Sequence, residues 1–357
     1  MKALIYRDAY QIEYDDAPDP KPEDTRSAIV KVTSCAICGS DLHIYQGHGF
    51  SDEPGYCVGH EAVGEVVETG SGVNRFKAGD RVMISAAVGC GSCAQCMAGD
   101  VARCETRSGR CYGLGQNLQG VQAEYAVVPV ADFGLAKIPE GVTEDQALML
   151  TDNLPTAWFG LKNAEIQPGD TVAIVGCGPI GLMAVEGAFL MGAAQVFAVD
   201  LVPERRAMAQ KLGAIALSAD DAADEIMAVT SGRMVNRVVE CVGADAAIHL
   251  SLKLACNGGT VSCIGVNQNM NFEFPMALAF IKGLTFRTGT CSVPVFWPEL
   301  VPLIQAGKLK PEAMISHQIG VERRCGGVPA FQCARGGCNE NGAHAISKSC
   351  LPKAPGW

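Results

Sequence analysis

Two hydrophobic periods divide the chain. Over residues 1–135 apolar positions come in short runs or alternate with polar ones, as in Ala28-Ile29-Val30-Lys31-Val32, Gly64-Glu65-Val66-Val67-Glu68 and Glu124-Tyr125-Ala126-Val127-Val128. Gly, Pro and Asp clusters separate these runs, so this part reads as β-strands joined by turns. From about Thr143 helical stretches alternate with apolar strands at 171–175, 195–200, 237–241, 259–265 and 284–288. That alternation predicts βαβ units and a doubly wound parallel sheet, hence an α/β protein. The expected boundaries are a β-rich domain over 1–153, an α/β domain over 154–292 and a return to the first domain over 293–320.

One stretch imitates a membrane span. Between Thr171 and Val199 the only charge is Glu186, and that length could cross a bilayer. It also holds Gly176, Gly178, Gly181, Gly187, Gly192 and Pro179, placed where a strand would turn into a helix. A strand and helix buried inside an α/β domain account for it, and no membrane association is expected.

Composition narrows the function. The 357 residues include 28 basic and 38 acidic side chains, a formal charge of −10, with 6% aromatics. Nucleic-acid binding is disfavoured, because it needs clustered cations and stacking platforms. Met1-Lys2-Ala3-Leu4-Ile5-Tyr6-Arg7-Asp8 reaches charge before any apolar region forms, so no secretory signal is read and a cytoplasmic location is expected. Seventeen cysteines against six histidines then point to metal ligands and buried thiols in a reducing compartment, not to disulfides.

Three motifs carry chemistry. Cys90, Cys93, Cys96 and Cys104 are spaced to wrap one tetrahedral zinc, a closed four-sulfur shell of structural type. Iron–sulfur ligation would use the same thiolates, but the neighbouring residues give it no support. The strand 171–175 runs into Gly176-Cys177-Gly178-Pro179-Ile180-Gly181 and a helix over 182–191. In this fingerprint Gly176 permits the turn, Gly178 lets backbone approach a pyrophosphate, and Gly181 lets helix pack on strand. The next strand ends in Asp200, whose carboxylate would accept from ribose hydroxyls and repel a 2′-phosphate. NAD is therefore expected over NADP, with Arg205 or Arg206 able to offset part of the repulsion. The third set is dispersed: Cys38-Gly39-Ser40-Asp41-Leu42-His43, His60-Glu61 and Asp152. Cys, His and carboxylate make a three-ligand zinc set with a fourth position open. Zn²⁺ with a thiolate, an imidazole and one carboxylate is neutral overall, so an alkoxide meets no large repulsion there.

These motifs, together and in this order over residues 1–316, resemble the zinc-dependent alcohol dehydrogenases of the medium-chain dehydrogenase family. The resemblance implies a GroES-like β-rich catalytic domain, a Rossmann coenzyme domain and an active site in the cleft between them. It implies two zinc ions per chain and a small alcohol, aldehyde or ketone as substrate. Cys38, His60 and Asp152 would hold the catalytic zinc, with Glu61 an alternate ligand; many relatives carry a second Cys where this chain has Asp152. Ser40 and His43 would relay the alcohol proton outward while hydride moves to the nicotinamide. Thr156 would pack against the nicotinamide, and Gly265 and Val266 are further cofactor-binding candidates. Polyol, butanediol and threonine dehydrogenases share this chemistry and are the alternative. A non-catalytic NAD-binding or redox-sensing protein is the alternative of another class. Relatives form homodimers or homotetramers by pairing an edge strand, here 284–288.

Other tempting residues read as structural. Cys35 with Cys38 forms a Cys-x-x-Cys, but an alternating strand would bury Cys35. Cys57, Cys111, Cys177, Cys241, Cys256, Cys263 and Cys291 read as small core residues. His48, His249 and His317 lack ligand spacing.

The end of the chain departs from the family pattern. Residues 321–357 hold five basic and two acidic side chains, four cysteines and five Leu, Ile, Val or Phe residues, too few apolar groups for a core element. Moving the frame by one base across Asn339-Glu340-Asn341-Gly342-Ala343-His344 allows codons for a Met-Lys-Thr start to a closing strand. The expectation is a shifted reading frame after about residue 320, with a divergent natural extension as the alternative, which resequencing the gene and an intact protein mass would decide.

Overall fold

The computed structural model describes residues 1–51, 53–106, 110–319 and 344–348. Its described residues divide into two compact units, Met1–Pro155 with those from Cys291 onward, and Thr156–Thr290.

The first unit opens with β1 (Lys2–Asp8), β2 (Gln11–Asp16), β3 (Ala28–Ala36), β4 (Tyr56–Cys57), β5 (Ala62–Thr69), β6 (Arg81–Ile84), β7 (Tyr125–Val128) and β8 (Leu135–Lys137). Strands β2, β1 and β4 form a small sheet, while β3, β5, β6 and β8 run side by side in a larger one, with β7 also on β3. The alternation read in the sequence is the pleat of this sheet: Ala62, Val63 and Val66 are buried while Glu65 and Val67 face out. Ala28, Val30, Val66, Val82 and Leu135 meet in its core.

The second unit supplies β9 (Thr171–Val175), β10 (Gln195–Asp200), β11 (Ile215–Ser218), β12 (Val235–Glu240), β13 (Ala255–Cys263) and β14 (Thr285–Thr288). All pair in parallel, in the order β11-β10-β9-β12-β13-β14. Helices cover both faces, so β9 and β10 are buried almost throughout and read as unbroken apolar runs. The helix after β9 spans Pro179–Leu190, with Pro179 in its first turn, three residues earlier than its apolar pattern suggests. β11 is a strand that the pattern does not reveal. It is four residues long and at the sheet edge, with Leu217 buried and Ile215 38% exposed.

The chain then returns to the first unit through the helix Trp297–Gln305 and β15 (Ile315–Ile319). A short strand β16 (His344–Lys348) lies between β15 and β3, parallel to the former and antiparallel to the latter. The rest of the segment expected to be frameshifted lies outside the described residues. Among those described, no helix is long and apolar enough to cross a membrane.

Candidate active site and coenzyme site

Pairing of β3 with β5 assembles the first cluster. Cys35 lies opposite Ala62 in the ladder, and the Ala36 N–H donates to the Glu61 carbonyl at 3.1 Å. Cys38 therefore comes beside His60 and Glu61, while Asp152 arrives just ahead of the helix Asn153–Ala164. One ligand atom from each of Cys38, His60, Glu61 and Asp152 lies within 4.8 Å of the others. The three former residues are buried and Asp152 is partly so. His60 Nε2 faces Asp152 Oδ2 at 3.5 Å and Glu61 Oε1 at 3.8 Å.

Three residues behind the cluster carry no sequence signal of their role. Asp41, fully buried, turns Oδ1 toward His60 Nδ1 at 3.5 Å. Its Oδ2 accepts from the Cys38 N–H at 2.9 Å and from Gln122 Nε2 at 3.0 Å. A carboxylate on Nδ1 leaves Nε2 for a metal, the usual arrangement behind a ligating histidine. Asn153 donates to Glu61 Oε2.

The electrostatics call for a cation. Burial and Glu61 push the Cys38 thiol up to about 12 against the pull of His60. Burial, with Asp152 beside it, raises Glu61 to about 8. Burial lowers the His60 imidazolium, but Asp41, Asp152 and Cys38 outweigh it and hold the pKa well above the usual value. Glu61 Oε1 is buried with no hydrogen-bond partner. Soft and hard donors with an orphaned carboxylate oxygen fit a divalent metal, whose charge reverses each of these costs.

Ser40 and His43 lie on the helix Gly39–Tyr45, three residues apart and so on one face. Both are half-buried. Burial, with His48 nearby, lowers the His43 pKa and so favours the neutral ring, the form that can accept a proton.

The four-cysteine loop closes as its spacing suggests. Cys90 and Cys96 sulfurs are 3.9 Å apart, as are those of Cys93 and Cys104. Four Zn–S bonds of about 2.3 Å in a tetrahedron place sulfurs ~3.8 Å apart. Backbone N–H groups of Cys93 and Cys90 point at Cys90 Sγ and Cys104 Sγ at 3.2 and 3.3 Å. The Ser92 and Thr106 hydroxyls help lower the Cys90 thiol to about 5.

In the second unit, Gly176 turns the chain at φ +93°. A Cβ on Gly181 would sit 1.8 Å from the Gly176 carbonyl oxygen, whereas one on Gly178 would meet nothing within 4 Å. The space beside Gly178, the N-cap of the helix, is thus open and no cap side chain bonds the helix start, which suits a pyrophosphate. Asp200 Oδ2 accepts from the Cys177 N–H at 2.7 Å and Oδ1 from the Val202 N–H at 2.8 Å. Arg205 stands 3.8 Å from the same carboxylate. Arg206 is committed to the carbonyls of Asp200 and Leu201 at 2.9 and 2.8 Å. Thr156 is half-buried in its helix, and Gly265 and Val266 follow β13, with Val266 40% exposed.

Among the remaining cysteines, Cys35, Cys57, Cys177, Cys263 and Cys291 are buried, but Cys111, Cys241 and Cys256 are only partly so. Cys241 follows β12, Cys256 is the second residue of β13 and Cys111 bridges Ala87, and burial still raises the Cys111 and Cys241 thiols.

Comparison with known proteins agrees with this architecture. Residues 24–140 match the alcohol dehydrogenase GroES-like domain and residues 179–306 the zinc-binding dehydrogenase domain. A probable zinc-binding alcohol dehydrogenase of Mycobacterium tuberculosis is 39% identical over 94% of this chain and 86% of its own length. An L-threonine 3-dehydrogenase of Bacillus licheniformis is 34% identical over 90% of this chain and 93% of its own. The solved alcohol dehydrogenase of Thermus sp. ATN1 superposes with a TM-score of 0.90 at 33% identity, covering 98% of this chain and 99% of that one. The chain is an oxidoreductase with a GroES-like domain and a Rossmann domain, and it belongs to the zinc-dependent medium-chain alcohol dehydrogenase family.

Proposed function

We propose that this protein is an NAD-linked alcohol dehydrogenase interconverting a small alcohol with its aldehyde or ketone. The convergence of Cys38, His60, Glu61 and Asp152 on one point carries the reading. Cys38, His60 and Asp152 would hold the catalytic zinc, with Glu61 as alternate ligand, and Cys90, Cys93, Cys96 and Cys104 a structural one. When bound, the metal supplies Lewis acidity toward a hydroxyl and the nicotinamide accepts hydride. Ser40 Oγ takes the hydroxyl proton and the neutral His43 ring passes it outward. Gly176, Gly178 and Gly181 cradle the pyrophosphate, and Asp200 holds the adenosine ribose. The carboxylate of Asp200 supports NAD, although Arg205 beside it would soften rejection of a 2′-phosphate. The similarity to an L-threonine 3-dehydrogenase supports a second reading, in which the alcohol bears a further polar group.

The thirteen described cysteines are unbridged, in keeping with a reducing, cytoplasmic setting. The open edge of β14, with Met276, Phe280 and Ile281 each at least 67% exposed, supports a homodimer or homotetramer. Metal analysis alongside NADH formation over simple alcohols, diols and threonine tests the whole reading. Two zincs per chain with turnover is expected, and Cys38→Ser and His60→Ala should lose turnover while keeping NAD affinity. One zinc without turnover would leave only a coenzyme-binding protein.

A further inference from the structure

The last residue of β12 is a carboxylate with none of its surface exposed, Glu240. A buried carboxyl of this kind, whose pKa burial raises against its hydrogen bonds, is tolerated only where donors surround it, and here they come from two loops. Glu240 Oε1 accepts from the Val242 and Gly243 N–H groups, both at 2.8 Å. Oε2 accepts from the Cys263 thiol at 3.2 Å. The main-chain carbonyl of the same residue receives the Ile264 and Gly265 N–H groups at 2.9 and 3.1 Å. One residue thus ties the loop after β12 to the loop after β13.

The two loops touch backbone to backbone. A Cβ on Gly265 would lie 2.1 Å from Gly243 N, and one on Gly243 would lie 2.3 Å from the Val266 carbonyl oxygen. A second clamp holds the outer part: Asp245 accepts from Asn267 and Asn269 side chains, each at 2.7 Å.

Topology says what such a crest would serve. The strand order reverses at β9, and a dinucleotide lies across that point. Asp200 ends β10 and marks the adenosine side, so the other half of the coenzyme extends over the ends of β12 and β13. We propose that Glu240 is a positioning residue for the nicotinamide half of the coenzyme, fixing the 241–243 and 264–266 loops as one surface. This rests on the coenzyme reading above.

The test uses the full-length protein, with NADH and ADP-ribose as probes. ADP-ribose keeps the adenosine, pyrophosphate and second ribose but lacks nicotinamide. In Glu240→Gln the amide oxygen still accepts from Val242 and Gly243, but the amide N–H opposes the Cys263 thiol donor. The Kd for NADH should rise about tenfold while that for ADP-ribose stays within about twofold. Glu240→Ala should extend the same split, and if it fails to fold, Glu240→Gln decides alone, with ADP-ribose binding certifying its fold. Unchanged NADH affinity, or equal loss of both ligands, overturns the assignment. A wild-type protein that binds neither probe overturns the coenzyme reading itself.

Discussion

Two alanine substitutions in one turn separate what the fold needs from what the coenzyme needs. At Gly181 the added Cβ would stand 1.8 Å from the Gly176 carbonyl oxygen, and real Cβ atoms essentially never come closer than 3.0 Å. The deficit is about 1.2 Å, and the obstructing atom is backbone, so no side chain can swing away. The helix Pro179–Leu190 must move off β9, at the upper end of overpacking costs, about 3 kcal/mol. For a domain of this size that lowers Tm by roughly 6–12 °C. Gly178 is the opposite case. Its φ of −67° and ψ of −178° suit alanine, and nothing lies within 4 Å of the new methyl. Alanine is a poorer N-cap than glycine by under ~1 kcal/mol, and loss of unfolded-state freedom returns about 0.4–1 kcal/mol. Gly178→Ala should therefore melt within about 2 °C of wild type. The methyl nonetheless occupies the approach to the helix N–H groups. Losing one charge-assisted bond there weakens NADH about 10- to 100-fold. Differential scanning calorimetry and NADH fluorescence titration read the two effects. A Gly178→Ala protein that binds NADH like wild type, or a Gly181→Ala protein that melts like it, would refute the reasoning.

Three further outcomes are expected. Cys104→Ser, at a sulfur with no exposed surface, should remove one zinc per chain by atomic absorption; full metal content would exclude the four-sulfur site. Asp41→Asn withdraws the charge facing His60 Nδ1, and zinc affinity measured against a chromogenic chelator should fall about 10- to 100-fold, with equal affinity counting against that role. Burial pushes Glu144 upward, but the Ser34 and Thr33 hydroxyls and Arg81 prevail and hold its pKa below the ordinary 4.5. A depressed carboxylate stabilises the fold fully above the unfolded pKa and loses that contribution as pH falls through the folded one. Glu144→Gln should accordingly flatten the acid limb of Tm against pH, and an unaltered limb would show that the contact contributes nothing.

How much of this was legible in the sequence depends on chain separation. The four cysteines from Cys90 to Cys104 and the turn Gly176–Gly181 carry their geometry within a few residues, so spacing alone exposes them. The continuous apolar runs of β9 and β10 likewise announce strands covered on both faces. β11 gives no such sign, because an edge strand of four residues with one deeply buried side chain, Leu217, has no period to read.

The carboxylates draw the sharper line. Asp41 and Glu240 each have no exposed surface, yet in sequence each looks like any solvated acid beside a turn. Their burial is made tolerable by donors that folding delivers. Gln122 reaches Asp41 from 81 residues away, and the Cys263 thiol reaches Glu240 from 23 away. The four-sulfur motif is local because one short loop brings its donors to a point, whereas Cys38, His60 and Asp152 are dispersed and spacing alone does not expose them. A supporting carboxylate is nonlocal because it must be shut off from water by separate elements, which no spacing rule encodes. The groups that orient these sites are thus written in tertiary contacts, while of the groups that bind only the contiguous ones, Cys90–Cys104 and Gly176–Gly181, are written in local spacing.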